Sequence, residues 1–258
     1  MHRSAVRHLI DENRGFVVMG SRRSNTLLLF SALVFASLAS ARSKPPDANA
    51  VRWAEGAPGS TFSRGADGKY SYGLHSKDLS VTLTVDAQEL QLTRRRLTHF
   101  LGVFLDVRYE GSGTLVFDPN TATLEYSSHY RVIKASLDPE GFAKRIESGG
   151  EEVSDETGRH VEKHPEKKEQ SEALARAYQK DVAELLEFVN TQSLKSTTLS
   201  TTAPRASGWV LFGTNNRWIG KWKKREDLVF RITLTDRVLE FPFSLPPKGS
   251  DVTLKERD

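Results

Sequence analysis

The fold class is decided by residues 208–247, which read GWVLFGTNNRWIGKWKKREDLVFRITLTDRVLEFPFSLPP. In residues 228–235 and again in 237–245, every second position is apolar. These positions are Leu228, Phe230, Ile232 and Leu234, then Leu239, Phe241, Phe243 and Leu245. Alternation with a period of two is typical of antiparallel strands with one buried face. Only Asp236 separates the two runs, so we expect a tight hairpin.

The same alternation recurs towards the N-terminus. Residues 79–86 and 101–109 carry their apolar side chains at odd positions, and 111–113 read as a hairpin turn between 101–109 and the next strand. Shorter strands are predicted at 115–117, 124–133, 196–201 and 209–212. Strands separated by turn signals at intervals of roughly ten residues favour an antiparallel β-sandwich, and we expect an immunoglobulin-like one.

The period changes at Asp138-Pro139-Glu140, a combination typical of a helix N-terminus. Apolar residues then follow at helical spacing until His164-Pro165, which should end the first helix. A second helix has the stronger pattern, and its predicted inner seam consists of Leu174, Tyr178, Val182, Leu185 and Val189. The sequence therefore predicts a helical hairpin, with coiled-coil character, inserted into the sandwich at about residues 138–193.

The N-terminal region has the features of a secretory signal peptide. A basic segment (21–25) precedes an apolar run (26–39) and an A-x-A site, Ala39-Ser40-Ala41, and we expect translation to start at Met19. The predicted location is therefore periplasmic or extracellular; the alternative is an uncleaved segment that anchors the protein to a membrane. We expect a flexible leader and a docked irregular segment at 42–69, one domain at 70–247 and a polar tail at 248–258.

Charge and cysteine content narrow the function classes. Residues 1–41 hold five of the 37 basic and two of the 33 acidic residues, which leaves 32 basic and 31 acidic residues and a net charge of +1. This balance gives no support to a nucleic-acid partner. The chain contains no cysteine, so neither disulfides nor a cysteine-linked lipid are available to it.

Few residues form a pattern that indicates a binding surface or a metal site. The segment around Arg217, Trp218, Lys221 and Trp222 interleaves basic and aromatic side chains, and it is the candidate contact surface; packing against the core is the alternative. His160 and His164 share one side of a helix, but the pattern is not H-E-x-x-H, so we assign no metal. Three arginines, Arg94 to Arg96, suit a solvated strand edge.

No motif for a catalytic nucleophile, a nucleotide phosphate or a dinucleotide occurs in the sequence, so no catalytic residue and no cofactor is predicted.

Four segments resemble an uncharacterised group of exported proteins of the acidobacterial type. They are residues 67–74 (DGKYSYGL), 85–90 (VDAQEL), 164–168 (HPEKK) and 241–247 (FPFSLPP). This resemblance implies export but no activity and no site residue. The strand segments also resemble bacterial immunoglobulin-like domains, without their Cys…Trp…Cys pattern.

Three functions remain open from the sequence. The first is a non-enzymatic binding or envelope-associated module whose partner is another protein or an envelope component. The second is a secreted hydrolase or carbohydrate-active protein with an unrecognised pair of carboxylates. The third is a structural or assembly protein that oligomerises through its helical hairpin.

Overall fold

The computed structural model describes residues 49–86, 100–127, 132–213 and 226–245. This part of the chain forms twelve strands and two long helices, which are in chain order β1 (Ala50–Arg52), β2 (Ser60–Arg64), β3 (Lys69–Ser76), β4 (Leu79–Asp86), β5 (Phe100–Tyr109), β6 (Thr114–Phe117), β7 (Thr123–Tyr126), β8 (Val132–Ala135), α1 (Pro139–Lys163), α2 (Lys168–Gln192), β9 (Thr197–Ser200), β10 (Arg205–Gly213), β11 (Glu226–Thr233) and β12 (Val238–Leu245). The predicted signal peptide and the polar tail lie outside the described residues. Among those described, no helix is long and apolar enough to cross a membrane.

Most strands belong to two five-stranded sheets. Sheet A has the order β1-β12-β11-β7-β8, and sheet B has the order β10-β5-β4-β3-β2. Neighbouring strands are antiparallel except for β1, which runs parallel to β12. Strands β6 and β9 form a separate antiparallel pair. The prediction of a mainly β fold with antiparallel sheets and one helical insertion is confirmed.

The inner faces of sheets A and B enclose one apolar core. The alternating rows predicted from the sequence supply it: Val81, Leu83, Leu101 and Leu105 are less than 1% exposed, as are Phe230 and Phe241. Phe212 of sheet B meets Phe230 of sheet A edge to face, with ring centroids 6.1 Å apart. Burial of these side chains, at about 1.5–3 kcal/mol each, is the main force that holds the sheets together.

The helical hairpin packs on the outer face of strands β5 and β10 of sheet B. Phe142 and Ile146 of α1 and Leu185 and Phe188 of α2 form a second apolar cluster with Phe100 of β5 and with Leu211 of β10. Asp138 caps α1 through a hydrogen bond from the Gly141 amide, 2.8 Å long, as its Asp-Pro-Glu sequence predicts. The base of the hairpin therefore packs on the sheet.

Both ends of the hairpin are fixed to the free edge of β10. The Leu137 amide donates to the Leu211 carbonyl at 2.7 Å where the chain enters the hairpin, and the Leu194 amide donates to the Trp209 carbonyl at 2.9 Å where it leaves. A Cβ at Gly208 would lie 2.6 Å from the Leu194 amide nitrogen. Glycine is required there because backbone, rather than a movable side chain, occupies the space.

Several sequence predictions are corrected by the strand pairing. The turn at 111–113 does not join a hairpin, because β6 pairs with β9 rather than with β5. The single strand predicted at 124–133 is two strands, β7 and β8, which pair with each other. The segment 42–69, expected to be irregular, contains β1 and β2. In α2, Leu174 is 66% exposed and is not part of the inner seam, in which Ser171 and Ala175 are partly buried instead.

We expect Gly208→Ala to lower the free energy of unfolding by about 1–3 kcal/mol, because the added methyl group forces Leu194 away from β10. Gly213→Ala on the same strand is the matched control: its Cβ would meet the Leu137 side chain at an ordinary 3.5 Å. Urea unfolding followed by circular dichroism measures both. Equal stability of the two variants would show that the hairpin is not held by this close approach.

A cluster centred on Arg237 joins two strand turns at one end of the sheets. Its guanidinium donates to Asp236, in the β11–β12 turn, and to Asp78 and the Ser76 carbonyl, in the β3–β4 turn. The Arg237 side chain is 9% exposed, whereas Asp78 and Asp236 are 35% and 51% exposed. The guanidinium holds the pKa of the Asp236 carboxyl below its usual value, first of all through its hydrogen bond.

Arg237→Met should lower the free energy of unfolding by about 1–3 kcal/mol near neutral pH, because two carboxylates lose a cation that is itself buried. The stabilisation that comes from a lowered carboxyl pKa is complete above the unfolded-state pKa and is lost as pH falls through the folded-state value. The difference between wild type and variant should therefore begin to shrink as the pH falls below about 5 and should keep shrinking below the ordinary aspartate pKa. Urea titrations at several pH values test this, and a constant difference would contradict it.

Candidate functional site

The contact surface predicted from the sequence, Arg217, Trp218, Lys221 and Trp222, lies outside the described residues, as do Arg94 to Arg96. Its role stays a prediction.

The histidine pair lies at the tip of the hairpin. The ring centroids of His160 and His164 are 4.9 Å apart, and His164 Nδ1 is 3.3 Å from a carboxylate oxygen of Glu166. A hydrogen bond from its own backbone amide, and then one from His164, hold the pKa of Glu166 below its usual value. Within the described ranges no group of three or more His, Cys, Asp or Glu side chains could hold a metal ion.

A groove of about 490 Å³ lies where the chain crosses from sheet A to sheet B. Strand β1 ends at Arg52, Trp53 follows directly, and a turn with Gly56 and Gly59 in left-handed conformations leads into β2. The apolar wall of the groove consists of Trp53, Phe62, Tyr72, Pro242 and Phe243. Its size falls within the range of ligand-binding clefts in proteins.

Four aromatic rings form a cluster on this wall, in which Tyr72 contacts each of the other three. The ring of Trp53 meets that of Tyr72 edge to face at 5.0 Å, Phe62 lies 5.2 Å from Tyr72, and Tyr72 lies 6.0 Å from Phe243. The Trp53 indole is held in place by a hydrogen bond from Nε1 to the Thr61 carbonyl, 2.9 Å long. Phe62 is 44% exposed, so the cluster presents one aromatic ring that is open to a ligand.

Polar side chains also line the groove. They include Arg52, Glu55, Ser127, Asp227 and Ser244. Ser244 donates from its hydroxyl to Asp227 Oδ1 at 2.6 Å, and Ser127 donates to the Asp227 carbonyl at 2.8 Å. The groove therefore offers hydrogen-bonding groups as well as an aromatic wall.

The strand edge beside the groove is interrupted by a proline. Val238 donates to the Asn49 carbonyl and Trp53 donates to the Glu240 carbonyl, so even-numbered residues of β12 face β1. The next such residue is Pro242, which has no amide hydrogen and cannot extend the ladder. A further strand therefore has a poor template at this edge.

Charged side chains form a row across the outer face of sheet A. Arg52 of β1 contacts Glu240 of β12 at 3.0 Å, Glu240 also contacts Arg231 of β11 at 2.5 Å, and Arg231 in turn contacts Glu125 of β7. Glu240 and Glu125 have side chains 7% and 10% exposed. Two arginines thus balance two buried glutamates, and the row fixes the position of Arg52 at the groove.

Replacement of Arg231 by Met should lower the free energy of unfolding by about 3 kcal/mol, because it removes the cation between two buried carboxylates. Substitution of Glu125, Arg231 and Glu240 together by Met removes the two buried carboxylates as well as the cation that pairs with them. This triple variant should be more stable than the single one, and urea unfolding compares the two. A triple variant that is less stable than Arg231→Met would contradict this account.

A buried phenol lies at another position of sheet A. The Tyr126 hydroxyl makes no hydrogen bond with the described residues. Burial raises the pKa of Tyr126 above its usual value, and the negative charge of Glu226 adds to the rise, so the phenol stays protonated. Glu226 is itself only 7% exposed.

Sequence reasoning did not identify the groove. Trp53 and Phe62 fall in the segment 42–69, which the sequence predicts to be irregular, and Tyr72 precedes the first strand predicted from alternation. Gly56 and Gly59 are the available signal, since glycines between apolar segments mark turns. They do not indicate which distant strands the aromatic side chains will meet.

Comparison with known proteins yields no relative: no family model matches the chain, and neither a curated protein nor a solved structure does.

Proposed function

We propose that the protein is a non-enzymatic binding module that holds a glycan chain of the cell envelope in the groove beside Phe62. The observation that carries this proposal is the cluster of aromatic rings that includes the exposed Phe62, in a groove that Arg52, Glu55 and Asp227 also line. Sugar rings have apolar C–H faces and hydroxyl edges. An aromatic wall packs against the first, while carboxylate, guanidinium and hydroxyl groups bond to the second.

The lining of the groove favours a glycan over two other ligands. Pro242 interrupts the strand edge, which argues against a peptide bound by strand addition. Charged residues on one side of the groove argue against an acyl chain, because burial of a charge against hydrocarbon is costly. A glycan uses both the aromatic and the charged residues of the groove.

We also propose that the protein is exported. The basic segment, the apolar run and the A-x-A site at 21–41 support delivery to the periplasm or beyond, where envelope glycans are found. The absence of catalytic motifs in the sequence supports binding rather than hydrolysis.

We also propose that the fold resembles that of immunoglobulin-like domains. Two packed antiparallel sheets support it, while the consecutive order of β2, β3, β4 and β5 within sheet B differs from the Greek-key order of that fold.

Titration calorimetry with the full chain tests the proposed function. The panel comprises soluble cello-, chito-, malto- and xylo-oligosaccharides and enzymatically released peptidoglycan fragments. We expect saturable binding of at least one of them, and Phe62→Ala should weaken it by about tenfold or more, as loss of one aromatic contact does. Ile133→Ala is the matched control, because Ile133 is 51% exposed on β8, which does not line the groove.

Three other outcomes would contradict part of this proposal. Binding of no member of the panel at millimolar concentration would overturn the glycan proposal, and equal affinity of the Phe62 and Ile133 variants would remove the groove as its site. Release of reducing ends during the titration would favour the hydrolase alternative over a binding module.

A further inference from the structure

The helical hairpin extends well beyond the part that packs on sheet B. Gly150 of α1 and Val182 of α2 are the last buried residues on the two helices, and a Cβ at Gly150 would contact the Val182 side chain at 3.3 Å. Every residue from 151 to 181 is at least partly exposed. At a rise of about 1.5 Å per residue, each helix continues for roughly 20 Å past this last buried layer. We call residues 151–181 the arm.

Within the arm, one face of α2 is used by α1. Ser171, Ala175 and Tyr178 are partly buried at spacings of four and three residues, and the seam continues through the buried Val182 and Leu185. Gln179 strengthens the contact by donating to the Gly150 carbonyl at 2.7 Å and to the Ser154 hydroxyl at 2.8 Å. This inner seam is thus complete without Leu174.

A second stripe with the same spacing follows α2 on a neighbouring face. It comprises Lys167, Gln170, Leu174, Ala177, Asp181 and Glu184, separated by three, four, three, four and three residues. Lys167 is the N-cap of α2. Asp181 is partly exposed and the other five are exposed, with Leu174 at 66%. Spacing of this kind is the pattern by which one helix packs along another.

We call this second stripe the outer stripe. Its charged and apolar residues are complementary to those of the same stripe in an antiparallel second copy. If two copies of α2 lie antiparallel about a two-fold axis between Ala175 and Arg176, Leu174 of one copy meets Ala177 of the other. In the same register Lys167 faces Glu184, and each contact occurs twice. Opposite charges at both ends and an apolar pair on either side of the axis are what an isologous contact requires.

We propose that the arm, together with Glu184 at its base, is a self-association surface, at which a second copy of this chain binds α2 antiparallel through the outer stripe. The contact involves one helix from each copy, so it buries less than the roughly 1,200 Å² of a standard stable interface. The dimer is therefore weak, with a dissociation constant in the range of about 10 μM to 1 mM. Because exposed charges supply much of the contact, added salt weakens it.

Sedimentation equilibrium of the full chain tests the proposal by exchanging the charges. Lys167→Glu places two glutamates opposite each other, and Glu184→Lys places two lysines opposite each other, so each single variant should raise the dissociation constant by about tenfold. The double variant, Lys167→Glu with Glu184→Lys, restores opposite charges and should return the constant to within about threefold of wild type. Glu169→Lys is the control, because it changes a charge of α2 that lies off the stripe.

The charge exchange separates this contact from any other. All variants share the rest of the chain, so association through a different segment would leave the single variants, the double variant and the control equal, and would overturn the proposal. A wild type that stays monomeric at about 1 mM would overturn it too. Far-ultraviolet circular dichroism confirms that each variant keeps its helices. The result is independent of the groove, since Phe62→Ala should not change the dissociation constant.

Discussion

The structure depends on two strands of sheet B, β5 and β10, being covered on both faces. Strands β5 and β10 send Leu101, Val103, Val210 and Phe212 towards sheet A, and they send Phe100 and Leu211 towards the helices. A strand pair buried on both sides loses more apolar surface to water than one that faces solvent, and it ties two separate clusters into one cooperative unit. The edge of β10 then fixes the entry and exit of the hairpin, so the same strand determines where the arm begins.

Local patterns in the sequence predict the parts of the fold that local physics determines. The alternation in β4, β5, β11 and β12 is visible because each strand buries one whole face, and the Asp-Pro-Glu start of α1 is visible because the cap lies within four residues. Pairing between distant segments is not local. Gly111 and Gly113 indicate a reversal of the chain, but nothing near them specifies that Thr114 will pair with Ser200. Leu174 was assigned to the inner seam because spacing alone does not distinguish two neighbouring heptad faces when the true seam contains Ser171 and Ala175.

The groove illustrates the same limit for a site. Trp53, Tyr72 and Phe243 come from β-segments of both sheets, and they meet only because β1 joins β12 in sheet A while β2 joins β3 in sheet B. Strands of three and five residues with mostly exposed side chains leave little alternation to detect. Arg52, by contrast, belongs to a charged row that crosses four strands, so the position of a residue at the groove depends on the register of the whole sheet.

The two anchoring points of the hairpin have a consequence for how such a chain changes over evolutionary time. Leu137 and Leu194 bind carbonyls of Leu211 and Trp209, two residues apart on one strand and hence only about 7 Å from each other. A segment whose ends are this close can be gained, lost or exchanged without rerouting the strands around it. Loss of the helices alone would nevertheless leave Phe100, Trp209 and Leu211 as a bare hydrophobic patch. Acquisition of the hairpin and of these large side chains beneath it would therefore have to proceed together, in small reciprocal steps.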